Sequence, residues 1–134
     1  MDLFYGLFKN CYKCDECENE SSTYDQFSFI SLPEVDNHNR KIDNLMNKLC
    51  NQEKLKDKWY CDECKRDTKT TLEITFDKLP KVLLIRLKSL NYEPVEFTLK
   101  LKASKFFKTS AIYDLIGVSN HYGGLNGGHC MQFF

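Results

Sequence analysis

Two short cysteine units constrain this chain more than any other feature. Cys14-Asp15-Glu16-Cys17 and Cys61-Asp62-Glu63-Cys64 repeat the same four residues at two distant places in the sequence. A C-x-x-C turn directs two thiolates at one point, and two such turns complete a closed, tetrahedral site for one structural Zn²⁺ with Zn–S distances of about 2.3 Å. Any fold that completes such a site must bring residues 14–17 against 61–64, so the long insert between them begins and ends in one place. Two blander readings compete. Four small buried hydrophobes would not need the repeated spacing. A thioredoxin-like redox pair would need a βαβ pattern around one unit, which neither has. Cys11-Tyr12-Lys13-Cys14 is a further C-x-x-C, but pairing Cys14 with Cys17 makes the two turns identical. Of the seven cysteines, Cys11, Cys50 and Cys130 are then left as ordinary reduced thiols.

The chain has 134 residues, 42% apolar and 28% charged, which describes one water-soluble globular domain with one core. Six Gly and three Pro are too few for a fibrous or disordered chain. Nineteen basic against nineteen acidic residues leave no net charge, so no long-range field draws the chain to nucleic acid or an anionic bilayer. Asp15, Glu16, Asp62 and Glu63 add acids beside a site that already carries about −2 with zinc bound, a second argument against nucleic acid. The longest apolar run, Val82-Leu83-Leu84-Ile85, falls far short of the roughly 20 residues that span a membrane. The opening residues lack a basic n-region and an apolar h-region, so no secretory signal is expected. The expected location is intracellular, cytoplasmic and/or nuclear, with neither a nucleic-acid nor a membrane partner.

Hydrophobic patterning reads as mostly β. Residues 24–32 are aromatic and β-branched and end at Pro33. Asn39 is a candidate N-cap for a helix through about Leu55, with Ile42, Leu45, Met46 and Leu49 at i, i+3, i+4 and i+7 as its core stripe. Residues 72–76 and 95–101 alternate as half-buried strands do. Residues 81–87 do not alternate, which predicts a central strand covered on both sides. Residues 112–119 predict another strand, 123–128 a glycine loop that no packed element would contain, and 129–134 a final strand. The fold class is therefore α+β, mainly β, with the cysteine turns at the tips of distant hairpins, as in a zinc ribbon.

The sequence from Tyr113 to His129 resembles the histidine box of the ubiquitin-specific proteases, cysteine proteases that remove ubiquitin from proteins. Phe4-Tyr5-Gly6 up to Cys14-x-x-Cys17, Trp59-Tyr60-Cys61-x-x-Cys64, and the run from Leu79-Pro80-Lys81 to Lys88 are similar to successive blocks of that family, in the family's order. The resemblance covers nearly the whole chain but only the C-terminal part of the family's catalytic domain. It implies zinc-ribbon fingers with one inserted helix over residues 1–75, and a papain-like palm β-sheet carrying the histidine box over 76–134, with the thumb segment absent. It implies a thiol-dependent deubiquitinase, ubiquitin or ubiquitinated proteins as partners, and one structural Zn²⁺ on Cys14, Cys17, Cys61 and Cys64.

Isopeptide hydrolysis by a thiol needs a thiolate, a histidine to take and return its proton, an orienter for that histidine, and donors for the oxyanion. The resemblance implies His129 as the general base. It implies His121, Gly127 and Gly128 as residues of the loop that borders the channel for the ubiquitin tail, His121 in a structural or loop-positioning role. The departures matter as much. Nothing in these residues resembles the family's cysteine box, and Cys11 lies only three residues before the first zinc ligand. Cys130 follows His129 directly, and neighbours on a strand point to opposite faces. The family's orienting Asp or Asn comes well after the histidine, whereas the sequence runs only to Phe134. Ser89-Leu90 stands where the family usually has Arg-Phe, and Cys130 where it usually has Tyr. The expectation is a deubiquitinase domain fragment, inactive in isolation, that grips ubiquitin no more tightly than roughly hundreds of micromolar. Palm residues Val82, Leu84, Phe97 and Leu99 are expected to be under-covered. The competing readings are an inactive ubiquitin-binding module and a zinc-ribbon binding protein.

Overall fold

The computed structural model describes residues 3–33, 40–88, 94–106, 110–124 and 127–134. Its largest element is a four-stranded antiparallel sheet made of β1 (Gly6–Cys14), β2 (Glu20–Phe27), β4 (Glu53–Lys54) and β7 (Thr70–Lys78), in the order β2-β1-β7-β4. Side chains alternate across it. On one face, Phe8 of β1, Phe27 of β2 and Phe76 of β7 pack with ring centroids 4.3, 4.8 and 5.6 Å apart. Gly6 is required beneath that cluster, because a Cβ there would run into the Phe27 ring and lie 2.7 Å from the Lys78 carbonyl.

The core continues from the aromatic cluster onto α1 (Ile42–Cys50) and the parallel pair β3 (Ile30–Leu32) and β8 (Ile85–Leu87). Leu45 and Met46 are buried on the helix, with Ile42 and Leu49 packed partly against them, as the 3.6-residue stripe requires. Leu101 of β9 (Lys100–Lys102), with Ala103 and Phe106 just after it, closes the far side. The helix is shorter than expected. It stops at Cys50 because Asn51 is already extended (φ −70°, ψ 147°) and residues 53–54 pair with β7. Asn39 lies outside the described residues. The helix instead starts from Lys41, and Ile42 N–H donates to the Glu96 carbonyl at 3.0 Å.

Four strand expectations are corrected. Residues 24–32 are split between β2 and β3 by a bend at Ser28-Phe29. In 81–87 only β8 is a strand, and Leu84 and Leu87 are exposed rather than sandwiched, since β8 pairs with β3 alone among the described residues. In 95–101 the strand is confined to β9. Residues 112–119 divide into β10 (Ile112–Asp114), paired with β9, and the start of β11 (Val118–Gly124). The glycine stretch is not a loop throughout. Gly123 and Gly124 end β11, Gly127 and Gly128 open β12 (Gly127–Phe133), and only Leu125-Asn126 lies between them, outside the described residues. Cross-strand hydrogen bonds satisfy the glycine backbone, while exposure of the hairpin spares it the need for side chains to pack. The prediction of under-covered apolar residues holds for Leu84, Phe97 and Leu99, which are 47%, 50% and 75% exposed; Val82 is half-buried.

Candidate metal centre and histidine hairpin

Each cysteine unit sits at a hairpin tip. Cys14 ends β1 and the turn leads into β2; Cys61 ends β5 (Trp59–Cys61) and the turn leads into β6 (Arg66–Thr68). The two turns have the same backbone. Glu18 N–H donates to the Cys14 carbonyl at 3.0 Å and Lys65 N–H to the Cys61 carbonyl at 2.9 Å, with Glu18 (φ 62°) and Lys65 (φ 56°) both left-handed. Because only Lys69 separates β6 from β7, and β7 pairs with β1 so that Thr70 faces Cys14, the second tip is delivered beside the first. The four sulfurs lie within 4.8 Å of one another, with Cys14 to Cys64 at 4.0 Å and Cys17 to Cys61 at 3.5 Å. A tetrahedron with Zn–S of about 2.3 Å has edges of about 3.8 Å, so the cluster has the dimensions to hold a metal ion.

Hydrogen-bonding groups surround the sulfurs. Glu16 N–H points at Cys14 Sγ (3.4 Å), Cys64 N–H at Cys61 Sγ (3.5 Å), and the Cys14 thiol donates to Thr68 Oγ1 at 3.3 Å. The Thr68 hydroxyl first, and then backbone N–H groups, hold Cys14 down to about 6, so that thiol is ready to ionise. Cys64 is pushed the other way, up to about 12, first by its hydrogen bond with Cys17 and then by desolvation. Crowded thiols cannot all ionise alike, so their titrations are driven apart. The acids of the first turn are neutralised from elsewhere in the fold: Glu16 pairs with Arg66, and Asp15 accepts from Thr71 Oγ1 at 2.7 Å and pairs with Lys54 at 3.3 Å. The Thr71 hydroxyl foremost, then Lys54, keeps the Asp15 carboxyl below the ordinary carboxylate range. Tyr12 and Trp59 stack at 4.6 Å and 8° and lock β5 onto the main sheet.

The two histidines lie on the β11–β12 hairpin and face opposite ways. His121 is opposite Cys130, whereas His129 is opposite Tyr122. Cross-strand partners share a face, so His129 lies with Val118, Tyr122, Met131 and Phe133, and His121 lies with Cys130 and Gly128. His121 Nδ1 is 3.3 Å from Cys130 Sγ. Gly128 has to be glycine, since a Cβ there would be 2.5 Å from the His121 ring and 2.7 Å from the Tyr122 carbonyl. Gly123 has φ 133°, and its own Cβ would meet Gly128 Cα at 2.5 Å. The fold thus brings Cys14, Cys17, Cys61 and Cys64 together, and His121 with Gly128, but puts His129 on the opposite face of the hairpin from Cys130. Sequence reading missed the Thr68 hydroxyl under Cys14 and the His121–Cys130 contact. The alternating Thr68 and Thr70 after the second turn was the available signal for the first; the second depends on a register that only the formed hairpin supplies.

Solved structures that share this fold are those of a deubiquitinase (DUB) module. The chain belongs to the ubiquitin carboxyl-terminal hydrolase family, whose pattern matches residues 1–133. In structure it is similar to the Ubp8 subunit of the SAGA DUB module with Sgf11, Sus1 and Sgf73 bound to monoubiquitin, with a TM-score of 0.86 and 29% identity over 98% of this chain and 33% of that one. The same module bound to ubiquitin aldehyde gives a TM-score of 0.82 at 28% identity, again with 98% and 33% covered. In sequence it is similar to ubiquitin carboxyl-terminal hydrolase 15 of Xenopus tropicalis and of Homo sapiens, each 46% identical over 33 residues, 25% of this chain and 3% of the relative. The chain therefore spans a third of its structural relatives and a small part of the curated ones.

Proposed function

We propose that these residues are the metal-bearing and histidine-bearing portion of a cysteine-type deubiquitinase, acting by thiol-dependent isopeptide hydrolysis when a nucleophilic cysteine segment completes the domain. The observation that carries this reading is the likeness, over 98% of the chain, to a DUB module bound to monoubiquitin. Residues 1–75 act as zinc-ribbon fingers and 76–134 as a papain-like palm, with β7 running across the boundary. Cys14, Cys17, Cys61 and Cys64 hold one Zn²⁺, which supplies no chemistry at the scissile bond and instead clamps the two hairpin tips. His129 takes the proton of the attacking thiol and returns it to the leaving amine. Gly127 and Gly128 let the glycine-rich ubiquitin tail approach the backbone closely, and His121 holds their strand in place. Ubiquitin or ubiquitinated protein is the partner, with no nucleic-acid or membrane partner. The four thiolates suit a reducing compartment, the cytoplasm or nucleus.

By themselves the 134 residues do not turn over, because Cys130, the cysteine beside His129 in the sequence, lies on the opposite face of the hairpin. That same observation favours a second reading, a ubiquitin-binding module without activity. Both are tested by assaying a fluorogenic ubiquitin C-terminal amide and titrating labelled ubiquitin while following its amide shifts. No turnover with a Kd of roughly hundreds of micromolar is expected. Micromolar binding would select the module reading, and turnover abolished by Cys11→Ala or Cys130→Ala would overturn the assignment.

A further inference from the structure

The seven cysteines do not have equal chemistry. Four form the metal cluster. Cys50 is half-buried on α1, and desolvation pushes its thiol up to about 11, which keeps it protonated and inert. Cys11 is half-buried on β1, and its sulfur is engaged as a donor toward the Glu20 carboxylate at 3.9 Å. Cys130 differs from both. It is exposed, and its sulfur lies 3.3 Å from His121 Nδ1 across the β11–β12 ladder. The imidazole lies over the bare backbone of Gly128, where a Cβ would come within 2.5 Å of its Cε1 and Nε2. An accessible sulfur and a base within hydrogen-bond reach are the parts of an activated nucleophile.

We propose that Cys130 and His121 form a thiol–imidazole dyad that is this chain's oxidation site, with a hydroperoxide as the oxidant. His121, protonated on Nε2, takes the thiol proton on Nδ1, and the sulfur attacks the terminal peroxide oxygen. The O–O bond breaks, and the departing oxygen collects the proton from the imidazolium. Cys130 leaves as the sulfenic acid, oxidised by two electrons, and hydrogen peroxide leaves as water. Because His121 and Cys130 face away from His129, the added oxygen enters on the opposite side of the hairpin from the proposed general base. It sits at the centre of the register that positions His129, one residue along the same strand.

The test uses the reduced, zinc-loaded full chain treated with hydrogen peroxide, trapped with dimedone and read by peptide mass spectrometry. Cys130 is expected to label at least about tenfold faster than Cys11 or Cys50 in the same molecules, and His121→Gln to bring Cys130 down to the rate of Cys11. Equal labelling of Cys130 and Cys11 in the wild-type chain would overturn the proposal, as would an undiminished Cys130 rate in a folded H121Q. If H121Q unfolds, Cys50 labels as well, and the wild-type ratio, which needs no variant, decides the question.

Discussion

Glu18 and Lys65 show how much one backbone angle asks of a residue. Each follows a C-x-x-C turn and adopts a positive φ that L side chains avoid, at a cost of roughly 1–2 kcal/mol. Glycine removes that strain but loses about 0.5–1 kcal/mol to unfolded-chain entropy. Lys65→Gly should therefore stabilise the chain by up to about 1 kcal/mol and Lys65→Val should destabilise it, both read as shifts in thermal midpoint with metal bound. The thiols make a second prediction at this scale, for the reduced, metal-free chain. Folding lowers Cys14 from 9.0 to about 6, so its stabilising contribution is complete above pH 9 and is lost as pH falls toward 6. Folding raises Cys64 to about 12 and Cys50 to about 11, so above pH 9 the unfolded chain gives up protons that the folded one retains, and stability falls again. A thermal midpoint that peaks near pH 9 is expected in a pH series on apo protein. Zinc should steepen the rise up to pH 9, since the folded chain then holds all four thiols as thiolates while the unfolded chain still binds their protons, and above pH 9 it should leave only the fall that Cys50 causes.

Strand β7 is the element on which the candidate metal site depends. It pairs with β1 along its length and follows β6 after a single residue, Lys69, so the register Cys14↔Thr70 fixes the distance between the cysteine pairs. Cys61→Ser should lose the metal and loosen β5–β6 while leaving the β1–β7 ladder protected in hydrogen exchange. Equal loss of protection in both would show that the metal holds the whole sheet. Helix α1 was legible in the sequence because its stripe has a helical period and its buried members, Leu45 and Met46, fall on it. Its ends were not, because the competing partners are far away in sequence: β7 captures residues 53–54, and Glu96 takes the first turn's amide. Met46 is fully buried, so Met46→Ala should cost about 2–5 kcal/mol in denaturant unfolding, while Lys48→Ala should cost under about 0.5.

At the scale of the molecule, apolar side chains are unevenly covered. Leu99, Ile112, Ile116, Tyr122, Phe133 and Phe134 are all more than half exposed, and the β11–β12 hairpin has no buried residue among those described. Apolar exposure of this extent is what interaction sites and aggregation-prone surfaces show. The isolated chain should bind a hydrophobic dye such as ANS under native conditions and self-associate as concentration rises. A monodisperse chain with no dye binding would contradict this account of its surface.

The sequence by itself determined the chemistry that depends on residue type and short-range spacing. The two C-x-x-C units and the helical stripe act over a few residues, so local geometry dictated what they do. Tertiary structure decided what depends on register and on cover. Pairing is set by hydrogen bonds between strands far apart in sequence, and it turned the glycine loop into a hairpin that puts His121 on Cys130 and His129 on the other face. Cover is a property of neighbouring layers rather than of a strand's own residues, which is why 81–87 has the composition of a central strand yet leaves Leu84 and Leu87 open to solvent.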